Sequence, residues 1–311
     1  MRGIKPAVEE ERIREVLAPV FGASTTEIAP LRGGHVAETF RVCAEGSEYV
    51  LRFNADNMDA NYEKEAYICD RYRSQSIPIP EVISFGRSGE LHYCITRKVA
   101  GTRMDQLPLA EVERLTPSLI ETLSAIHAVD VSDTEGCGLF DGAGRGFFSD
   151  WPSSLISVRE EERQGGFYGK WHEMFDTTFL DRDFFHRISA RMDELLASLP
   201  SERYLVHGGY GFGNVLAADG HVTAVIDWLD AAYGDFCYDV AWLDYWASAG
   251  GYVQVVRDRY NVLGHDLQNL DERVLCYQCR IALDGMRFFA KLADVDSYRF
   301  TTERITNLLG W

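Results

Sequence analysis

The sequence predicts an α+β fold of two lobes, in which a small strand-rich lobe precedes a larger helical one. Up to about residue 98, short segments alternate apolar and polar residues as strands do, whereas later segments repeat their apolar residues at helical spacing. A chain of 311 residues, 46% apolar and 25% charged, is long enough to bury a sizeable core. We therefore expect an N-lobe over residues 1–98 and a C-lobe over 99–311.

Each lobe has a predicted series of elements. In the N-lobe these are a helix over 8–22, strands within 28–42 and at 48–53, a helix over 59–74 that ends before the extended prolines of Ile77–Pro80, and strands at 82–86 and 91–97. In the C-lobe they are helices over 109–129 and 181–199 and over much of 236–311. The Gly- and Asp-rich stretch 132–150 predicts a loop.

The charge balance indicates which partners suit the surface. With 31 Lys and Arg against 48 Asp and Glu, the formal net charge is −17. Such a surface disfavours nucleic acid, because phosphate contacts need clustered cations. It favours capture of a cationic small molecule, although many proteins are acidic only for solubility. We expect a small-molecule partner and a monomer or weak dimer.

Compartment and cysteine usage follow from local patterns. No apolar run approaches the ~20 residues that span a bilayer, and the N-terminus lacks the apolar segment of a signal peptide. A cytoplasmic protein without membrane contact is expected.

Seven scattered cysteines include one CxxC pair, Cys276 and Cys279, in an apolar helical stretch without a second pair. These features predict reduced, mostly buried thiols.

The segment 204–228, YLVHGGYGFGNVLAADGHVTAVIDW, carries the clearest chemistry. An apolar strand leads into a glycine-rich loop, and Asn214 precedes a strand, a turn and a second strand that ends at Asp227. The hairpin therefore brings a carboxamide and a carboxylate near each other. Both donate oxygen, which suits Mg²⁺ when phosphate and water complete its ligands.

This segment resembles the catalytic loop of the aminoglycoside phosphotransferase family, H-G-D-x-x-x-x-N, followed by a hairpin and a metal-binding Asp. The resemblance implies a bilobal protein-kinase-like fold, ATP or GTP as phosphoryl donor, and Mg²⁺ held by Asn214 and Asp227. It also implies that His207 braces the loop. The stretch 234–241, GDFCYDVA, resembles the family's G-D-P-x-x-D-L-A, whose second Asp, here Asp239, supports the loop.

Gly209 departs from the family pattern. The family has Asp at this position to accept the proton of the attacking hydroxyl, and glycine has no side chain to do so. The surrounding motif is intact, which fits a deliberate single-residue change, for instance to trap a substrate complex, or a natural pseudokinase. We expect strongly reduced turnover with nucleotide and magnesium binding retained.

The resemblance also implies a nucleotide site in the N-lobe. Gly33-Gly34 would form the turn over the phosphates, and Arg52 would pair with them where protein kinases place a lysine. Glu65 would orient Arg52, with Glu63 as the competing assignment. Backbone groups of the segment between the lobes would meet adenine; its candidate residues are Thr96, Lys98 and Val99.

The acceptor is expected beside Gly209, among acidic and aromatic groups. The candidates are Asp230, Asp244, Trp246, Asp284 and Arg287; Asp230 is the first choice, and a structural role is the favoured alternative for Asp284 and Arg287. Trp242 and Tyr245 are expected in the core. The function implied is phosphorylation of a hydroxyl of a hygromycin B-like, cationic antibiotic, which confers resistance. The alternatives are a kinase of a nucleoside antibiotic, a macrolide or a metabolite, and a pseudokinase that acts as a binding protein.

Overall fold

A computed structural model describes residues 5–34, 36–55, 62–162, 166–247 and 251–311. Its first part is a five-stranded antiparallel sheet in the order β1-β2-β3-β5-β4. The strands are β1 Thr25–Leu31, β2 Glu38–Ala44, β3 Ser47–Ala55, β4 Val82–Ser88 and β5 Leu91–Arg97, and the helices beside them are α1 Glu10–Phe21 and α2 Tyr62–Tyr72.

Alternation along β3 shows why this sheet forms. Tyr49, Leu51 and Phe53 are buried on one face, and Leu51 and Phe53 are fully inaccessible. The buried face packs against Val16 and Leu17 of α1. A period of two in the sequence therefore becomes one buried sheet face covered by an amphipathic helix.

The rest of the chain is mainly helical around a second, larger core. Its helices are α3 Leu109–His127, α4 Trp151–Ile156, α5 Met174–Thr177, α6 Arg182–Leu195, α7 Cys237–Trp246, α8 Tyr252–Leu263, α9 Leu270–Leu292 and α10 Val295–Leu309. The central helix α9 packs against α6, α7 and α10. These two parts confirm the predicted bilobal α+β class.

Two small sheets support the loops of the second part. One has the order β11-β10-β6 and the other the order β8-β7-β12-β9. The strands are β6 Thr102–Arg103, β7 Cys137–Phe140, β8 Gly146–Phe148, β9 Tyr204–Val206, β10 Val215–Ala218, β11 His221–Val225 and β12 Ala232–Gly234. The prediction of a loop over 132–150 is thus wrong for β7 and β8, which are too short to show periodicity. β8 pairs with β7, and β7 pairs with β12 from far along the chain.

The cysteines match the expectation of free thiols. All seven are unpaired, six are buried, and Cys43 is half-buried. Cys276 and Cys279 lie on the buried face of α9, so their CxxC spacing reflects helical packing. Among the described residues, no helix combines the length and hydropathy needed to cross a membrane.

Candidate functional site

The hairpin β10–β11 brings Asn214 and Asp227 to the same end. Val215 pairs with Val225 across the two strands, and the Ile226 amide donates to the Asn214 carbonyl at 2.9 Å. Asp227 is the next residue, with a left-handed backbone at φ 66° that Asp and Asn tolerate better than most residues. The predicted juxtaposition of the carboxamide and the carboxylate follows directly from this register.

The donor groups at this end fit a magnesium ion. The Asn214 Nδ2 donates to the Gly209 carbonyl at 3.0 Å, which fixes the amide plane and leaves Oδ1 available. The Asp227 side chain is exposed to solvent although protein surrounds it on most sides. Burial, and next the neighbouring Asp230 carboxylate, raise the pKa of Asp227 to about 6, against the opposing effect of Arg52. A bound cation would relieve this unfavourable concentration of negative charge.

Few carboxylates converge here, as is usual for magnesium. Within the described residues, no group of three or more His, Cys, Asp or Glu side chains is placed to hold a metal ion. Magnesium on a nucleotide typically takes one or two carboxylates together with phosphate oxygens and water. The Asn214–Asp227 pair therefore suits an ion that arrives with nucleotide.

His207 supports the loop from within. It is fully buried, its Nδ1 accepts from the Gly209 amide at 3.2 Å, and its Nε2 lies 3.0 Å from the Ile226 carbonyl. Burial lowers the pKa of His207, so the ring is neutral at physiological pH and its Nε2–H donates to Ile226. The ring joins the loop to the strand that precedes Asp227.

Asp239 of α7 holds the same loop from the other side. Its Oδ2 accepts from the His207 amide at 2.7 Å, and its Oδ1 accepts from the Gly208 amide at 2.8 Å. Behind it lies His127, with Nε2 at 3.0 Å from Oδ2 and Nδ1 at 2.6 Å from the Tyr260 hydroxyl. A buried polar network of this kind fixes the loop in one conformation.

Gly208 and Gly209 differ in whether the backbone at that position admits a side chain. Gly208 has φ 81°, and a Cβ there would lie 2.1 Å from the Asp230 carbonyl oxygen, so this position needs glycine. Gly209 has no such backbone constraint, and its Cβ would lie 3.3 Å from Asn214 Nδ2 and 3.7 Å from His207 Nδ1. An aspartate at 209 therefore fits the backbone with only a small adjustment of the Asn214 amide.

On the other side of the site, Arg52 of β3 and Glu65 of α2 form an ion pair. Both are largely buried, with side-chain exposures of 16% and 5%. The Arg52 guanidinium lies 5.2 Å from the centre of the Tyr62 ring and is close enough to Asp227 to interact with it electrostatically. The structure thus pairs Arg52 with Glu65 rather than with Glu63.

Removing Glu65 is expected to weaken both the fold and the nucleotide site. In Glu65→Ala, the buried Arg52 loses its partner, and breaking such a pair costs about 3–5 kcal/mol of unfolding free energy. Chemical denaturation measures this loss. Glu65→Gln is the matched control, because it keeps an acceptor of the same size and should lose less. Equal stability of Glu65→Ala and the unaltered chain would contradict the account.

The other predicted nucleotide-binding residues lie before Arg52 and after Glu65 in the sequence. Gly33 and Gly34 lie between β1 and β2 with φ values of 133° and 65°, which only glycine adopts readily. Thr96 is buried in β5. Lys98 pairs with Glu48 at 2.9 Å, and Val99 is half-buried. Their contacts with nucleotide stay predictions.

The acceptor candidates fall into two groups. Asp230 lies against the catalytic loop, because its backbone packs on Gly208. Asp284 is half-exposed and accepts from Arg287 at 2.5 Å and from the Tyr168 hydroxyl at 3.3 Å. Arg287 is itself 5% exposed. Electrostatic coupling between Asp230 and Asp284 places both near one another.

Asp244 and Trp246 point into helix packing. Asp244 is 6% exposed and accepts from the Tyr252 amide at 3.0 Å and from Arg304 at 3.2 Å. The Trp246 ring stacks on Phe300 with centroids 5.9 Å apart. Their roles toward an acceptor stay predictions, and these contacts favour the structural alternative.

Trp242 and Tyr245 occupy different environments. Tyr245 is fully buried, as expected for a core residue. Trp242 is half-buried, and a Cβ on Gly211 of the catalytic loop would lie 3.5 Å from its ring. Trp242, rather than Trp246, is therefore the tryptophan of α7 that packs against the loop.

Sequence reasoning missed two residues of the site. His127 lies behind Asp239, and its only signal was a histidine on the apolar face of α3. Lys64 is 3% exposed and donates to the Leu229 carbonyl at 2.7 Å, between Asp227 and Asp230. Its signal was a lysine adjoining Glu65 in α2. Lys64 thus ties the helix of the N-lobe to the segment that follows Asp227.

Comparisons with known proteins show what this chain is similar to. Residues 27–271 match the family model for the phosphotransferase enzyme family. Hygromycin-B 4-O-kinase of Escherichia coli is 30% identical over 286 residues, which cover 91% of this chain and 80% of that protein. The sequence resembles hygromycin B phosphotransferase in the segments 49–54, 76–86, 91–97, 212–228 and 234–241, and the identity over 286 residues confirms this resemblance.

Solved structures extend the comparison to the fold. A thermostable mutant of aminoglycoside phosphotransferase APH(4)-Ia, in a ternary complex with AMP-PNP and hygromycin B, has a TM-score of 0.81 at 26% identity and covers 96% of this chain and 98% of its own. APH(4)-Ia itself gives 0.80 at 27% identity, covering 97% and 99%. A spectinomycin phosphotransferase matches with a TM-score of 0.62 at 13% identity, covering 98% and 100%, and so shares the fold.

Proposed function

Because the chain belongs to the phosphotransferase enzyme family, we propose that it binds magnesium nucleotide and transfers the γ-phosphoryl group to a hydroxyl of a hygromycin B-like aminoglycoside. The rate of the chain as it stands is low, because Gly209 lacks the family's base. The observation that carries the proposal is the meeting of Asn214 and Asp227 with the buried Arg52–Glu65 pair in one site.

Each side chain has a role in this proposal that its geometry supports. Asn214 and Asp227 hold magnesium, which when bound neutralises charge on the phosphates. Arg52, oriented by Glu65, pairs with phosphate oxygens, and the Gly33-Gly34 turn lets the backbone approach them. His207 and Asp239 keep the loop rigid, so that position 209 faces the acceptor hydroxyl.

The acceptor class rests on the relatives. The protein that is 30% identical is named as a hygromycin-B kinase, and the neighbouring structure contains hygromycin B. The chain has 48 acidic and 31 basic residues, and the resulting negative charge would attract such a cationic antibiotic. Phosphorylation would inactivate the drug, which is the basis of the proposed resistance function.

A panel assay tests the acceptor class. Gly209→Asp protein is incubated with Mg-ATP or Mg-GTP and with hygromycin B, spectinomycin, other aminoglycosides, a macrolide and a nucleoside antibiotic, and products are detected by mass spectrometry as a gain of one phosphoryl group. We expect phosphorylation of hygromycin B. Phosphorylation of the macrolide or the nucleoside alone would overturn the acceptor class and leave the kinase class standing.

A binding protein without catalysis is the second candidate, and Gly209 is the observation that favours it. In that case Gly209→Asp gains no activity with any acceptor, although nucleotide or aminoglycoside still binds. Calorimetric titration with hygromycin B, run beside the panel assay, separates this candidate from the first.

A further inference from the structure

An acidic residue, Asp230, packs against Gly208, the residue that precedes position 209. The backbone of Asp230 packs directly on Gly208: a Cβ on Gly208 would lie 2.1 Å from the Asp230 carbonyl oxygen and 3.1 Å from the Asp230 Cβ. The left-handed glycine therefore brings the base of the Asp230 side chain to the residue adjoining Gly209. Asp230 also lies three residues beyond Asp227, and the two carboxylates interact electrostatically.

Three other acidic side chains in this part of the fold already accept hydrogen bonds. Asp239 accepts from the loop amides, Asp244 from Tyr252 and Arg304, and Asp284 from Arg287. Asp230 accepts no hydrogen bond from the described residues, and its side chain is exposed to solvent. Its oxygens are therefore available to a ligand.

The charges facing Asp230 balance each other. Lys64 from α2 and Arg280 from α9 attract it, whereas Asp227 and Asp284 repel it. Protein surrounding the Asp230 carboxylate displaces part of its water and so raises its pKa, and the Lys64 ammonium, next in size, opposes this rise. A raised pKa makes a carboxylate a stronger proton acceptor.

We propose that Asp230 accepts the proton of the acceptor hydroxyl in place of the base that is missing at position 209, an inference that rests on the proposed function. The acceptor O–H bond breaks and its proton passes to an Asp230 oxygen, while the acceptor oxygen bonds to the γ-phosphorus of the nucleoside triphosphate. The bond from this phosphorus to the β,γ-bridging oxygen breaks, and the nucleoside diphosphate leaves. Asp230 then returns the proton to solvent.

A double-mutant cycle tests this role. Initial rates of hygromycin B phosphorylation are measured for the unaltered chain, Gly209→Asp, Asp230→Asn and the double variant, with long incubations and detection by mass spectrometry. In the Gly209 background, we expect Asp230→Asn to lower the slow rate by about 10-fold or more, as loss of a base does. With Asp at 209, the same substitution should cost less than about 3-fold, because two residues that serve one role are not additive.

Conservative replacement and folding controls complete the experiment. Asp230→Glu should retain at least part of the slow activity, because it keeps a carboxylate, and thermal unfolding of every variant shows that each is folded. Equal losses for Asp230→Asn in both backgrounds would mean that Asp230 only binds the acceptor and would overturn the inference.

Failure of the inference and failure of the proposed function give different results. If Gly209→Asp is active and the unaltered chain shows no turnover at all, the inference alone is overturned. If neither phosphorylates any acceptor of the panel, the proposed function falls and the inference falls with it. Slow transfer by the unaltered chain that disappears in Asp230→Asn supports both.

Discussion

Replacing Gly209 by Asp is expected to raise kcat for hygromycin B phosphorylation about 10²-fold, the lower end of what a general base contributes. The lower end applies because Asp230 already accepts the proton in the unaltered chain. The loop needs no rearrangement: a Cβ at 209 meets Asn214 Nδ2 at 3.3 Å, and the backbone is outside the left-handed region. Steady-state kinetics with Mg-ATP measure the change, which should fall on kcat rather than on the KM for nucleotide.

Gly209→Asn is the matched control for this prediction. Asparagine has the shape of aspartate and fills the same space, but its amide cannot accept the proton. We expect Gly209→Asn to remain as slow as the unaltered chain. If Asn and Asp raised kcat equally, filling the space rather than supplying a base would be the cause, and the proposed role of position 209 would be wrong.

Replacing Asp227 by Asn is expected to lower transfer by at least about 10³-fold when tested in the Gly209→Asp background, because loss of a metal ligand removes several kcal/mol of charge stabilisation. The left-handed backbone of Asp227 accepts Asn without strain. Asp219→Asn is the matched control: Asp219 also has a left-handed backbone, φ 51°, but lies exposed in the turn of the same hairpin. Activity that survives in Asp227→Asn would contradict the proposed metal site.

The same variant is expected to be more stable than its parent. In the metal-free protein the pKa of Asp227 is raised to about 6, above its ordinary value of 3.8, so the folded state binds this proton more tightly than the unfolded state does. The charged carboxylate therefore destabilises the fold above pH 6, and the penalty shrinks as pH falls through 6 toward 4. At pH 7.5 and without magnesium, Asp227→Asn should raise Tm by about 2 °C.

The pH dependence provides the check on this stability effect. Thermal unfolding at pH 7.5 and pH 5.5 should show a smaller difference between Asp227→Asn and the parent at the lower pH, because the parent carboxyl is then largely protonated. A difference that is unchanged or grows on acidification would contradict a raised pKa at Asp227.

The sequence predicted the parts of the fold that depend on local pattern. Strand β3 and helix α9 have strong periodicity and apolar faces, and the hairpin between Asn214 and Asp227 has an Asp-Gly turn at its tip. The strands β7 and β8 escaped prediction because four and three residues are too few to show a period. β7 pairs with β12, which lies far along the chain, and β8 pairs with β7.

The site was predictable where its residues are near in sequence and hidden where they are distant. Asn214, Asp227 and Asp239 follow from one stretch of chain. The contact of Lys64 with Leu229 spans 165 residues, and that of His127 with Asp239 spans 112. A lysine or histidine on a helix gives no local sign of such a partner, so only the fold assigns these contacts.

The choice between Trp242 and Trp246 shows a similar limit. Both lie on the same face of α7, one turn apart, and the sequence could not say which end of that face meets the catalytic loop. Apolar residues lie on all faces of α7, because this helix packs against both α8 and α9. Tertiary packing therefore decides that Trp242 contacts Gly211 and Trp246 contacts Phe300.

Titration of the unaltered chain with a non-hydrolysable ATP analogue, with and without magnesium, tests the central claim most directly: a nucleotide site that is intact beside a catalytic loop without its base. Isothermal calorimetry should show binding that strengthens with magnesium, and this gain should vanish in Asp227→Asn but persist in Asp219→Asn and in Gly209→Asp. Absence of binding by the folded chain, or binding of equal strength with and without magnesium, would contradict it.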